Sequence, residues 1–162
     1  MNLIVNVDEN WGIGRENSLL FHFSGDMKFF RSKTIGKVVV MGRKTLLTMP
    51  NQQPLDGREN IIVSRNSSLK IEGAKVCGSL EELFDEIKKY KSEDVFVIGG
   101  EEIYNQLLDY CDTAYVTKTQ ANGEAEKFFP NLDKKSEWIL VESSEVFEEK
   151  GVRFTFNTYK RQ

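Results

Sequence analysis

The sequence predicts an α/β fold: a single domain with an eight-stranded, mostly parallel sheet, four flanking helices and an antiparallel C-terminal hairpin at the sheet edge. Val95–Ile98 and Val38–Met41 are uninterrupted apolar runs, typical of strands buried on both faces of a parallel sheet. Each run ends in glycine and is followed at once by a helical pattern, as expected of an α/β protein. Two segments of alternating polarity near the C-terminus predict the hairpin.

The predicted strands share β-branched or aromatic residues and are bounded by turn-forming residues. In chain order they are Leu3–Val7, Lys37–Met41, Asn60–Ser64, Ala74–Cys77, Asp94–Ile98, Thr113–Thr117, Trp138–Phe147 and Val152–Tyr159. The last two are joined by Glu148–Gly151, which is predicted to form the hairpin turn. In such a sheet, ligands are expected at the carboxyl ends of the parallel strands.

Four helices are predicted between these strands. Ser24 is expected to cap the first, which runs to about Thr34. Gly42 precedes a short second helix, and the capping box Ser79–Glu82 starts the third. The fourth helix follows the glycine pair at 99–100.

Two connections are long. Pro50–Gly57 is rich in turn-forming residues, whereas Asp8–Phe23 lacks a helical period and contains two glycines. Long connections inside a compact domain are usually functional. We therefore expect Asp8–Phe23 to take part in function.

The composition excludes several functional classes. Lys and Arg number 22 and Asp and Glu 25, so the net charge is −3, and without a basic block no nucleic-acid partner is expected. No apolar run approaches the roughly 20 residues that span a bilayer. The N-terminus lacks the features of a secretory signal, and Cys77 and Cys111 are expected to be free thiols. We therefore expect a cytoplasmic protein without a membrane partner, and a monomer because no exposed apolar stripe stands out.

Two strand ends have the pattern of anion sites. Gly99-Gly100 and Gly42-Arg43-Lys44-Thr45 each place glycine and a helix start directly after a buried strand. Ser64-Arg65 ends the next strand and adds a hydroxyl and a guanidinium. These features predict a dinucleotide with an additional phosphate, as in NADP. The alternatives are a tight turn without a ligand and solvated surface charges.

The first strand does not carry a Rossmann fingerprint. Gly12-Ile13-Gly14 follows it, but Asn17 stands where the third glycine belongs, and no helical pattern follows. His22, the only histidine, has no partner nearby in the sequence and is interpreted as solvated or structural. Without other clusters of His, Cys or carboxylates, neither a metal site nor a nucleophilic triad is expected.

Asp26 is the candidate catalytic acid. It lies in the first turn of the first predicted helix, with Phe29 and Phe30 on the same side. A carboxylate beside apolar residues, directly after a long loop, suggests a polar anchor in an apolar pocket. The alternative is an aspartate placed there only because the helix dipole favours it.

Taken together, these segments resemble the dihydrofolate reductase family over essentially the whole chain. The matching segments are Val7–Gly14, Asp26–Phe30, Val40–Thr45, Leu55–Arg58, Asn60–Arg65, Val97–Tyr104 and Phe128–Pro130. Each alone is a weak signal, but their shared order and spacing make the resemblance strong. It implies hydride transfer from NADPH to C6 of dihydrofolate, with protonation at N5.

The resemblance also implies roles for individual residues. Asp26 would bind the pterin and favour protonation at N5, with Thr117 supporting it and Phe21 and Tyr104 completing the catalytic set. Arg58 would bind the α-carboxylate of the substrate. The other residues that would contact the substrate are Ile4, Val5, Met27, Phe30, Met49, Leu55 and Ile98.

NADPH would lie along a second set of residues. These are Asn6, Ile13, Gly14, Leu19, Gly42, Arg43, Lys44, Thr45, Ser64, Arg65, Ile98, Gly99, Gly100, Glu101, Ile103 and Tyr104. The resemblance further implies a cis peptide between Gly99 and Gly100, and a mobile lid formed by Glu9–Phe23.

Several residues depart from the family pattern. Leu20-Phe21 replaces a usual Pro-Trp, and Phe21 cannot donate the hydrogen bond of the tryptophan N–H. Asn6 stands where alanine is common, and Ala125–Lys127 differs at a site of loop contacts. Two alternatives stay open: a related pteridine or flavin-precursor reductase, and a weakly active ligand-binding homologue. Arg58 argues against the first, because a substrate without a glutamate tail gives it no partner.

Overall fold

The computed structural model of the protein describes residues 1–66 and 68–162. The strands are β1 (Asn2–Val7), β2 (Gly12–Arg15), β3 (Ser18–Leu19), β4 (Val38–Gly42), β5 (Glu59–Val63), β6 (Ala74–Cys77), β7 (Val95–Gly99), β8 (Thr113–Thr119), β9 (Lys127–Phe128), β10 (Trp138–Ser143), β11 (Phe147–Glu149) and β12 (Val152–Arg161). The α-helices are α1 (Ser24–Thr34), α2 (Arg43–Leu46), α3 (Leu80–Ile87) and α4 (Glu101–Leu107). Within the described ranges, no helix is long and apolar enough to cross a membrane.

The main sheet has the strand order β10-β12-β8-β1-β7-β4-β5-β6, with β11 paired to β12. From β8 to β6 the neighbouring strands are parallel. At the other edge, β12 runs antiparallel to β8, β10 and β11. The predicted class, a mostly parallel sheet with an antiparallel C-terminal edge and four helices, is confirmed.

The C-terminal hairpin differs from the prediction. Trp138–Phe147 is not one strand, because β10 ends before Ser144. The Ser144 N–H donates to the Phe156 carbonyl, while the Ser144 hydroxyl, and not its carbonyl, accepts the Phe156 N–H. The pairing of β10 with β12 also shifts register between Leu140 and Glu142. The predicted four-residue turn is also too long. The turn is Lys150–Gly151, with φ of 56° and 76°, the two-residue geometry that matches the twist of paired strands.

Two strands in the connection between β1 and α1 form a small sheet with β9, which the sequence did not reveal. Strands β3, β2 and β9 pair there in antiparallel fashion, and each has two to four residues. Such short strands carry no usable alternation of polarity, so the sequence does not predict them.

Two apolar clusters lie on the two faces of the central strands. Val95 and Val97 of β7 belong to one cluster, and Phe96 and Ile98 belong to the other. Successive side chains of a strand point to opposite faces, so β7 is buried on both sides. This burial confirms the interpretation of its uninterrupted apolar run, and it places the carboxyl end of β7 at the centre of the molecule.

Candidate active site

A cavity of about 1070 Å³ opens at the carboxyl ends of β4, β5 and β7. All the residues that the sequence analysis assigned to the cofactor line it, from Asn6 on β1 and Leu19 in the lid to Tyr104 on α4. The parallel arrangement explains this gathering, because the carboxyl ends of neighbouring parallel strands meet at one edge.

Two glycines on the wall of this cavity leave little room for a side chain. Gly99 has φ of 123°, and a Cβ atom there would lie 3.3 Å from the Tyr104 ring. A Cβ atom at Gly42 would lie 3.1 Å from the Ile103 side chain. The peptide between Gly99 and Gly100 is cis, as the family resemblance implied. Main chain therefore forms this part of the wall, and a ligand can approach it closely.

Cations and hydroxyls form the far end of the cavity. Arg43 and Lys44 begin α2 and are exposed, and Ser64 and Arg65 follow β5. Arg65 pairs with Glu102 at 3.1 Å, but both side chains are well exposed, so the pair is weak and can be exchanged for a better anion. The donors at this end fit a phosphate group.

Asp26 lies over the ends of β1 and β8, where two donors meet its carboxylate. The Thr117 hydroxyl donates to Oδ1 at 2.6 Å, and the Asn6 amide donates to Oδ2 at 3.0 Å. Burial raises the pKa of Asp26 above its ordinary value, the two hydrogen bonds oppose that rise, and the charge of Glu149 adds to it. A buried carboxyl with a raised pKa is suited to acid–base chemistry.

The start of α1 is held differently from the prediction. Ser24 does not cap the helix: it is the first helical residue, and its hydroxyl donates to Glu149. The Glu149 carboxylate accepts the N–H groups of Ser24 at 2.6 Å and Gly25 at 3.0 Å. A side chain from β11 thus satisfies the helix N-terminus.

Most of the predicted substrate residues lie in one apolar cluster. Phe30, Met49 and Leu55 pack against the cluster that contains Ile4 and Ile98. Met27 lies outside this cluster and is 58% exposed, because it follows Asp26 on the outer side of α1. Val5 points to the other face of the sheet and also lines the cofactor cavity.

Tyr104 lies between the cofactor cavity and the apolar cluster that contains Ile4 and Ile98. Its hydroxyl is buried and donates to the main-chain oxygen of Ile4 at 2.6 Å. Burial raises the pKa of Tyr104 far above its ordinary range, so the side chain stays neutral. Because Tyr104 and Ile98 line the cavity and Ile4 and Ile98 belong to the apolar cluster, the cavity and this cluster share a wall.

Arg58 is half-buried, and the acceptors of its hydrogen bonds are neutral groups. It donates to the Asp56 carbonyl and to the Thr34 hydroxyl at 3.0 and 3.1 Å. Burial lowers its pKa, and repulsion from Arg31 lowers it further. Two guanidinium groups that repel each other can be stabilised by an anion placed between them. Arg31 was not predicted, since a basic residue in the last turn of a helix is common.

Polar contacts join the segment that is expected to form the lid to residues 123 and 124. Asp8 accepts N–H groups from Gly12 in the lid at 2.7 Å and from Gly123 at 2.9 Å. Arg15 of β2 pairs with Glu124 at 2.7 Å. At the other end of the lid, Phe21 stacks on Phe23, with ring centroids 5.5 Å apart.

The sequence analysis did not predict the side-chain contacts made by Asn6, Glu149, Arg31 and Asp8. Asn6, which the sequence analysis assigns to the cofactor, lines the cavity, and its side chain also donates to Asp26. Its signal was present: a polar residue in an apolar strand, beside a strand with alternating threonines. Glu149 gave no signal, because it lies 124 residues from its partner Gly25.

The chain matches the family model described as "Dihydrofolate reductase" over residues 1–161. It is 34% identical to the dihydrofolate reductase of Bacillus subtilis (strain 168), covering 98% of this chain and 89% of that protein. It is also 34% identical to the enzyme of Neisseria meningitidis serogroup B, covering 99% and 98%. The solved structure of Enterococcus faecalis dihydrofolate reductase complexed with NADP(H) and RAB-propyl is 32% identical, with a TM-score of 0.88 over 99% of this chain and 95% of that one. The chain belongs to the dihydrofolate reductase family.

Proposed function

We propose that the protein reduces 7,8-dihydrofolate to 5,6,7,8-tetrahydrofolate, with a hydride from NADPH added at C6 and a proton added at N5. The carrying observation is that the cofactor cavity shares a wall with the apolar cluster and adjoins Asp26 through Asn6, which lines the cavity and donates to Asp26. Family membership supports both the reaction and the NADPH cofactor, as expected from the sequence. The complex of the Enterococcus faecalis enzyme with NADP(H) adds support for the cofactor.

The residues of the cavity fit this cofactor. Gly42, Gly99 and Gly100 let main chain approach a pyrophosphate, while Arg43 and Arg65 hold the additional phosphate together with Ser64. Ile98 and Tyr104 lie at the shared wall and position the nicotinamide end. NADPH, when bound, supplies the hydride; the protein orients it and keeps water away.

Asp26 binds and orients the pterin. Its carboxylate accepts hydrogen bonds from N3 and the 2-amino group of the substrate, while Thr117 holds Oδ1. Burial makes its proton affinity higher than that of an exposed aspartate, so a proton can be held near the pterin and N5 protonation is favoured. Phe30, Met49 and Leu55 surround the pterin and benzoyl groups.

Arg58 sets the substrate class. With Arg31 beside it, it offers paired positive charge to the α-carboxylate of a glutamate tail. A pteridine or flavin-precursor substrate lacks that carboxylate. A reductase acting on such a substrate would therefore leave the positive charge of Arg58 and Arg31 without a partner. The weakly active alternative rests on Phe21, and Phe21→Trp is expected to speed turnover if a missing donor limits the reaction.

Residues 1–162 form a single domain and act as a cytoplasmic monomer. The continuous nine-stranded sheet supports one domain, since its strands come from both ends of the chain. The free, buried thiols Cys77 and Cys111 support a reducing compartment. Sedimentation of the full chain at several concentrations checks the monomer.

The proposed reaction is tested by following NADPH absorbance with dihydrofolate and, separately, with a dihydropterin lacking the glutamate tail. We expect rapid oxidation with dihydrofolate, tetrahydrofolate as the product by mass spectrometry, and weaker use of the shorter pterin. Equal use of the two would favour the pteridine reductase, and reduction of neither would overturn the proposal.

A further inference from the structure

Asp26 is bonded to an amide that the proposed reaction does not require. We infer that Asn6 is a positioning residue: it fixes the orientation of the Asp26 carboxylate, favours its ionised form, and thereby sets the pH range of hydride transfer. This inference rests on the proposed function, because it assumes that Asp26 serves the pterin. In the family pattern alanine is common at this position, and alanine has no donor.

Hydrogen bonds link four side chains in a row, those of Thr119, Asn6, Asp26 and Thr117. Thr119 donates to the Asn6 oxygen at 2.7 Å, and the Asn6 nitrogen donates to Asp26 Oδ2 at 3.0 Å. Thr117 completes it at Oδ1. An ionised carboxylate can only accept hydrogen bonds, and Thr119 donates to the amide oxygen, so the amide nitrogen faces Asp26.

The pairing of β1 with β8 brings Asn6, Thr117 and Thr119 together. Asn6 of β1 is paired with Thr117 of β8, and Thr119 lies two residues further on the same face. Thr117 and Thr119 are both 2% exposed, so neither can turn away into solvent. The amide is therefore held at one orientation before any ligand binds.

The surroundings of Asp26 act in opposite directions on its ionisation. Burial and the negative charge of Glu149, which approaches from β11, both favour the protonated carboxyl. Tyr104 of α4 also interacts with Asp26, but it stays neutral. Of the groups that influence Asp26 in the described chain, only the Thr117 and Asn6 donors favour the ionised form.

Removal of the Asn6 donor should therefore raise the proton affinity of Asp26. Because the proposed reaction uses a proton held at Asp26, hydride transfer should decline as pH rises and Asp26 ionises, and the midpoint of this decline should move to higher pH in Asn6→Ala. Well above that midpoint the variant should be faster than the parent, on the order of ten-fold, the effect of one charge-assisted hydrogen bond. Structural damage alone would only slow the reaction.

The test measures single-turnover hydride transfer, with NADPH and its deuterated form, from acid to alkaline pH. Asn6→Ala should shift the midpoint upward, and Thr119→Val should shift it in the same direction by less, since the amide remains but is no longer held. Asn157→Ala is the matched control: it removes another buried amide, which bonds main chain and Ser143 but not Asp26. Its midpoint should equal that of the parent.

A second readout separates this inference from the proposed function. The Asp26 carboxyl is titrated by ¹³C NMR in protein labelled at aspartate and loaded with NADPH, with Asp26→Asn assigning the signal. If Asn6→Ala titrates like the parent, or its midpoint moves to lower pH, the inference is overturned and the reaction stands. If Asp26→Asn keeps full hydride transfer, the role of Asp26 in the proposed function fails instead.

Discussion

The cofactor cavity and the Asp26 site are adjacent but are built in opposite ways. The cavity wall consists of strand ends in which glycine, cation and hydroxyl are neighbours in the chain, as in Gly42-Arg43-Lys44-Thr45. Asp26 instead depends on Asn6, 20 residues away, and Thr117, 91 residues away. Local motifs make the cavity wall, whereas the acid site depends on the packing of distant segments.

The largest expected effect follows from removing the acid itself. Asp26→Asn keeps the size of the side chain but cannot change charge, so hydride transfer at neutral pH should fall by roughly 10²–10⁴-fold, the usual contribution of acid–base catalysis. It should recover partly in acid, where solvent protonates N5 of the substrate. Rates are measured by stopped flow.

NADPH affinity supplies the control for that variant. The cation end of the cavity lies on β4 and β5, so NADPH binding to Asp26→Asn should match the parent in a fluorescence titration. Weakened cofactor binding would mean that the two regions are coupled, and the contrast between them would be lost.

The second effect concerns the cavity. Arg43→Ala combined with Arg65→Ala removes two charge-assisted contacts to the additional phosphate, each contributing about 1.5–3 kcal/mol. The preference for NADPH over NADH in kcat/KM should therefore largely disappear, while the pH profile stays that of the parent. Arg153→Ala, which removes a surface guanidinium beside Glu148, is the control and should leave the preference intact. Equal use of both cofactors by the unaltered protein would contradict the assignment.

The third effect is confined to the substrate tail. Arg58→Leu should raise KM for dihydrofolate by roughly ten-fold or more, since a charge-assisted contact is lost. The dihydropterin without a glutamate tail has no group for Arg58 and should be used as before. Steady-state kinetics on both substrates check this, and equal losses would make Arg58 a structural residue.

Sequence predicted the cavity better than the acid site for a physical reason. The cavity residues follow buried strands directly, so fold class and parallel order suffice to bring Gly42, Ser64 and Gly99 together. Asn6 and Glu149 act through contacts fixed by strand register and by a hairpin turn, neither of which the local pattern specifies. Because local pattern does not specify contacts between distant segments, the sequence also did not predict β2 and β3, and it wrongly predicted that Ser24 caps α1.

The smallest expected effect tests the contact that sequence could not reveal. Glu149 accepts three hydrogen bonds at the start of α1, from the N–H groups of Gly25 and Ser24 and from the Ser24 hydroxyl, and these bonds lower the pKa of Glu149 below its ordinary value. A carboxyl with a lowered folded pKa stabilises the protein above its unfolded pKa, and that stabilisation is lost as pH falls through the folded pKa. Glu149→Gln should therefore lower Tm modestly at neutral pH, and the difference from the parent should narrow in acid. Glu148→Gln, the neighbour whose carboxylate lies 3.7 Å from Arg153 Nε, is the matched control and should melt like the parent. A Tm difference for Glu149→Gln that is the same at acid and neutral pH would show that the charge of Glu149 does not stabilise the helix start.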